Sequence, residues 1–242
     1  MTGGARSGVR EPAATILRVG PASVAWAADG GRTSRQAQLS LLSEPDRQRA
    51  AAFAPDRLRR FVVGRLLIHA LVADEFPSAT GWVVRPGVCR RCGQRHAGAE
   101  LEGVPARASV SYAPGLVVAA VAPECRACRL GIDIERDVDD RARVEDLRRR
   151  LGSSREKALR RWTRVEAVLK ADGRGLLIDP GAVWLRRGSG WVAGSPTSYV
   201  VAEVDGPHGY LISLAWSHAT PAASAGPATR RMAGPAGARW ES

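Results

Sequence analysis

An α+β fold is predicted for this chain. Two stretches of helical periodicity, each followed by short apolar segments bounded by turn residues, carry that prediction. A balance of 45% hydrophobic and 25% charged residues over 242 positions adds a globular core large enough to need no staples.

Residues 1–13 and 219–242 are Gly-, Ala-, Pro- and Ser-rich and aperiodic, and are expected to be disordered tails. Two half-domains are expected between them, 14–107 and 108–218. Glu44-Pro45-Asp46 opens a first helical segment and Pro55-Asp56 a second, where Leu58, Phe61, Val62, Leu66 and Leu67 recur on one face. Residues 81–107 read as loop-rich. Ala108–Tyr112, Leu116–Ala122 and Leu130–Glu135 are strand-like, and the turn Pro123–Cys128 suggests that the last two form a hairpin. Helices are expected at about 141–151 and 153–171, stopped by Gly173-Arg174-Gly175. Three or four more strands follow over 181–217. No sequence repeat is visible between the halves.

The formal net charge is +12, and only Lys157 and Lys170 are lysines, so arginine supplies 34 of the 36 basic residues. Such a surface favours an anionic partner. The charges are scattered and only 5% of residues are aromatic, so nucleic-acid binding has no motif behind it. No apolar run is long enough for a transmembrane helix and the N-terminus is polar, which leaves a cytoplasmic protein as the expectation.

Two segments carry chemistry. In Gly131-Ile132-Asp133-Ile134-Glu135, strand alternation puts both carboxylates on one face, about 7 Å apart, where they can share a hard cation. An exposed strand face is the bland alternative. In Trp162-Thr163-Arg164-Val165-Glu166-Ala167-Val168-Leu169-Lys170, Glu166 and Lys170 are four apart and share a helix face. Three carboxylates and an ammonium together make the set needed to hold Mg²⁺ on a diphosphate and manage a proton.

Gly131–Glu135 followed by Trp162-x-x-x-Glu166-Ala167-x-x-Lys170-Ala171-x-Gly173-x-Gly175-Leu176 resembles the 4′-phosphopantetheinyl transferases. The resemblance is to their larger, monomeric type that serves polyketide and nonribosomal peptide synthetases. It extends over roughly 15–217, through Asp56–Phe61, Gly64-Arg65, the loop Cys89–His96 and Val110–Gly115. It implies a pseudo-twofold pair of similar α+β half-domains with coenzyme A bound between them. It also implies Mg²⁺-dependent transfer of the phosphopantetheine arm to a serine of an apo acyl or peptidyl carrier protein. Asp133, Glu135 and Glu166 would be the metal ligands, Glu166 the base, and Lys170 the group that neutralises or protonates the leaving side. Arg60, His96, Ser111, Tyr112 and Lys170 would contact coenzyme A. Carrier proteins are typically acidic, which suits an arginine-rich rim.

Three positions depart from the family's pattern: Tyr112 stands where a histidine is usual, Val165 where a lysine is common, and Ala97-Gly98-Ala99 where Gly-Lys-Pro often follows His96. Each removes a cation from the phosphate site, so a catalytically weakened homologue that binds coenzyme A or carrier proteins is the first alternative.

Cys89-x-x-Cys92 and Cys125-x-x-Cys128 are separated by 32 residues, a spacing that fits a structural tetrathiolate zinc site; four reduced thiols are the plain reading. A basic, zinc-containing nucleic-acid-binding protein is the second alternative, and it leaves the acidic strand and the Glu166/Lys170 helix unexplained. Trp162 reads as a core anchor.

Overall fold

The computed structural model describes residues 15–30, 34–89, 92–137, 141–151 and 155–218, with the backbone alone at 95–97, 141, 155–157 and 176. The expected tails, 1–13 and 219–242, lie outside the described residues.

The fold is α+β, with eleven strands in two antiparallel sheets and five α-helices among the described residues. Strands β1 (Leu17–Val19) and β2 (Ala22–Ala28) open the chain, and three helices follow: α1 (Arg35–Ser40), α2 (Glu44–Ala50) and α3 (Pro55–Glu75). Then come β3 (Val83–Val88), β4 (Arg95–Glu102), β5 (Ala106–Ala113) and β6 (Leu116–Pro123), which complete a sheet of order β1-β2-β6-β5-β4-β3. The second sheet, of order β7-β11-β10-β9-β8, is formed by β7 (Arg129–Arg136), β8 (Val183–Arg186), β9 (Ser189–Val192), β10 (Ser198–Val204) and β11 (Tyr210–Ser217). Helices α4 (Arg141–Leu151) and α5 (Arg155–Asp172) lie between its first two strands in sequence.

Leaving out the short β1, both sheets have one plan. In each, the first strand pairs with the last, the others follow in descending order, and the helices are inserted after the first strand. No sequence repeat marks this duplication, because a strand order is set by pairing and not by particular residues.

Local signals explain the helices. Ser43 caps α2 by accepting from the Asp46 N–H, and Pro45 and Pro55 sit in first turns where their missing N–H is harmless. Gly173, at φ 82°, ends α5, and its N–H reaches back to the Leu169 and Lys170 carbonyls.

Three apolar clusters stack the layers. Leu67, Ile68, Leu71 and Val72 of α3 pack on Val117, Ala119 and Val121 of β6. The opposite face of β6, with Val118 and Ala120, meets Ile132 and Ile134 of β7 and Leu214 of β11. Val165, Val168 and Leu169 of α5 cover the far side of the second sheet, against Val201 and Ala215.

Three expectations change. Strands β6 and β7 form no hairpin: β6 already pairs with β2 and β5 on its two edges, so the chain crosses at 124–128 into the other sheet. The sheets therefore divide between Pro123 and Arg129, and 108–123, expected with the C-terminal half, belongs to the first sheet. Residues 81–107 hold two strands; Pro86 and Gly87 on the edge strand β3 shift its register and hide its alternation. No helix among the described residues is long and apolar enough to cross a membrane.

Candidate active site

The site lies where β5 of the first sheet runs beside β7 of the second. Odd-numbered residues of β5 face this seam. Ser109 Oγ accepts from the Ile132 N–H at 3.0 Å, and Ser111 Oγ donates to Asp133 Oδ1 at 2.8 Å. Lys170, from the last turn of α5, donates to Ser111 Oγ and to Asp133 Oδ1, both at 2.7 Å. Ser111, Asp133 and Lys170 thus form a closed triangle drawn from three elements.

Gly131 lets α5 come this close. A Cβ there would stand 2.2 Å from the Ala167 carbonyl oxygen and 2.4 Å from the Ala171 nitrogen, both backbone atoms that cannot move aside. The alternation expected for β7 is present: Ile132 and Ile134 are in the core between the sheets, and Asp133 and Glu135 share the other face. That face is buried under α5, contrary to the exposed-strand alternative.

Glu135 accepts from the Trp162 indole N–H at 3.0 Å and from Arg143. Trp162 is half-buried, and beyond anchoring the helix it orients a carboxylate. Burial pushes the Glu135 carboxyl upward, and the Asp133 charge adds to this, with Arg143 opposing. Glu166 is buried and pushed up to about 7, first by desolvation and then by the Asp133 charge; Lys170 opposes and Glu135 adds. Asp133 Oδ2 is buried with no hydrogen-bond partner.

These observations test the donor set for a cation. A buried acceptor without a donor and a carboxyl raised by burial and by the Asp133 charge are both relieved by a hard cation, so Asp133, Glu135 and Glu166 fit Mg²⁺ in donor chemistry. Among the described residues no three His, Cys, Asp or Glu side chains are already gathered as a metal shell. This holds for the three carboxylates and for the four cysteines, of which Cys89 is buried and the others exposed.

A cavity of about 860 Å³ opens beside the triangle. Ser109 and Val110 of β5 line one wall, Gly98 and Ala99 of β4 continue it, and Glu166 and Lys170 line the opposite one. Cys89 and Cys128 also reach it.

Five residues singled out from sequence are thereby brought together: Ser111, Asp133, Glu135, Glu166 and Lys170. Two are not. Tyr112 alternates to the α3 side of its sheet, where Gly64 leaves room for its hydroxyl and Arg49 and Arg65 are its charged neighbours. Burial pushes its phenol upward. Arg60, one helical turn before Gly64, pairs with Asp29 at 2.9 Å, so neither residue lines the cavity. The His96 side chain lies outside the described residues. Sequence reasoning missed Gly131 as a packing residue and Trp162 as a donor; a glycine immediately before an acidic alternation was the available signal for the first. No protein-family model matches the chain, and no curated protein matches it either.

Proposed function

We propose that the chain is a 4′-phosphopantetheinyl transferase that moves the phosphopantetheine arm of coenzyme A onto a serine hydroxyl of an acidic apo acyl or peptidyl carrier protein. The observation that carries this reading is the Ser111–Asp133–Lys170 triangle, whose Lys170 lines a cavity together with Glu166, in a chain of two sheets of one plan. The repeated strand order supports the pseudo-twofold architecture that the motifs imply.

In the reaction, the carrier serine oxygen bonds to the pantetheine-side phosphorus. The bond from that phosphorus to the bridging oxygen breaks, and adenosine 3′,5′-bisphosphate leaves. Glu166 is the base that accepts the serine proton in this reading, and its carboxyl lines the cavity together with Lys170. Lys170 brings positive charge to the leaving side, and its bonds to Ser111 and Asp133 fix its ammonium in place. Asp133, Glu135 and Glu166 would hold Mg²⁺, which supplies charge neutralisation at the diphosphate. Arginine-rich surfaces suit docking of an acidic carrier protein.

The test is incubation with coenzyme A, Mg²⁺ and a panel of apo carrier proteins, read as a mass gain of about 340 Da, the size of the transferred group. No gain with any partner, together with retained coenzyme A binding, would replace the transferase by a non-catalytic binding homologue. Salt-steep DNA or RNA affinity that survives Glu166→Ala would instead favour the nucleic-acid reading.

A further inference from the structure

A second polar network lies along the same cavity, and the transfer chemistry makes no use of it. Asp172, the last residue of α5, is 1% exposed. Arg174 donates to both of its oxygens, at 3.1 Å to Oδ2 and through Nε to Oδ1. Tyr199, buried in β10, donates its hydroxyl to Asp172 Oδ2 at 3.1 Å. Arg129, the first residue of β7, donates to the Tyr199 hydroxyl at 2.8 Å and stands 3.7 Å from Asp172 Oδ2.

One guanidinium would neutralise a buried carboxylate; here there are two, so the cluster carries an excess positive charge. Both arginines line the cavity, the same one that Glu166 and Lys170 line. They are also unusually fixed. Their side chains are 20% and 23% exposed, whereas the other ion-paired arginines with described partners, Arg65 apart, are all 34% exposed or more. A planar guanidinium held in one orientation suits bidentate recognition of phosphate.

We propose that Arg129 and Arg174 form a phosphate-binding wall of this cavity, positioned by Asp172 and Tyr199. Resting on the coenzyme A reading, the wall takes one of that ligand's phosphates, either the 3′-phosphate or the diphosphate. It supplies cationic contacts from the end of α5 and the start of β7, on a different part of the chain from the family positions that Tyr112, Val165 and Gly98 occupy.

The test titrates the full-length protein and its Arg129→Gln, Arg174→Gln and Tyr199→Phe variants with coenzyme A, 3′-dephospho-coenzyme A and inorganic pyrophosphate, at low and high ionic strength. Thermal melts identify folded variants. Should Arg174→Gln lose its fold by leaving the buried Asp172 carboxylate without its closest partner, Arg129→Gln, which stands 3.7 Å from that carboxylate, carries the test. Each Arg→Gln change is expected to weaken coenzyme A binding at least tenfold and to flatten its salt dependence. A loss that disappears with the dephospho ligand assigns the 3′-phosphate, and one that persists assigns the diphosphate. Tyr199→Phe is expected to raise KM for coenzyme A at constant kcat, a split that a purely structural tie would not give. Wild-type affinity for all three ligands in folded Arg129→Gln and Arg174→Gln would overturn the proposal. If the wild type ignores coenzyme A yet binds pyrophosphate through these arginines, the wall stands and the transferase reading falls; if it binds none of the three, both fall.

Discussion

The Lys170 ammonium lies 2.7 Å from Asp133 Oδ1, joining the end of α5 to the middle of β7 beside the seam between the sheets. Lys170 is 29% exposed and Asp133 buried, so the pair holds a charge that could not stay there alone.

Asp133→Asn and Lys170→Met are each expected to lower turnover at least a hundredfold while the circular dichroism spectrum is retained. Because the two groups act on each other, the double variant should lose much less than the product of the single losses. Full multiplicativity would show that they work independently.

Glu166→Gln should abolish transfer and raise the melting temperature in metal-free buffer at pH 8. The sign follows from its raised carboxyl: the folded state binds the proton more tightly than the unfolded one, so stability falls as pH climbs from about 4.5 to about 7 and stays reduced above. Glutamine removes that cost, so the gain of a few degrees at pH 8 should vanish near pH 4.5. Near-normal turnover in this variant would remove Glu166 from the chemistry.

Mg²⁺ is expected to raise the melting temperature of the wild type at pH 8 and to leave that of Asp133→Asn nearly unchanged. Calorimetric titration with Mg²⁺ checks the same point directly. Equal stabilisation of both proteins would place the cation elsewhere.

Trp162→Phe keeps the ring and deletes the indole N–H that Glu135 accepts. Loss of such an orienting partner typically costs about 10–100-fold in metal affinity. The Mg²⁺ concentration for half-maximal activity should therefore rise, with little change in melting temperature. An unchanged Mg²⁺ dependence would return Trp162 to a packing role alone.

Gly131→Ala is the smallest change expected to damage the site from outside it. Its methyl would meet two backbone atoms of α5, so the helix must shift, at about 1–3 kcal/mol for overpacking of this kind. Melting should drop by several degrees, and turnover should fall beyond what the loss of folded protein explains. A wild-type melting curve would mean that the helix has room to spare.

Local periodicities made the two carboxylate-bearing segments legible. Asp133 and Glu135 share a face by strand alternation, and Glu166 and Lys170 by helical spacing, so the order of residues alone pairs them. The same alternation already separates Ser111 from Tyr112, and assigning both to one ligand set that period aside. What local pattern does not hold is pairing. Leu116–Pro123 is apolar on both faces because it lies between a helix and a second sheet, and such a run does not say which strands flank it. Pro86 and Gly87 mask an edge strand, and Asp172 meets Arg129 and Tyr199 only through the tertiary fold.

The duplicated strand plan implies that the two copies have parted company in chemistry. In the second copy the leading strand β7 carries Asp133 and Glu135 against β5 of the first. The reciprocal combination, β2 with β10, contributes Val24 and Val204 to an apolar cluster. A protein assembled from two equal copies would offer two reaction centres. This chain has hydrocarbon at one position and ionisable groups at the other, so the proposed coenzyme A should bind with a stoichiometry of one.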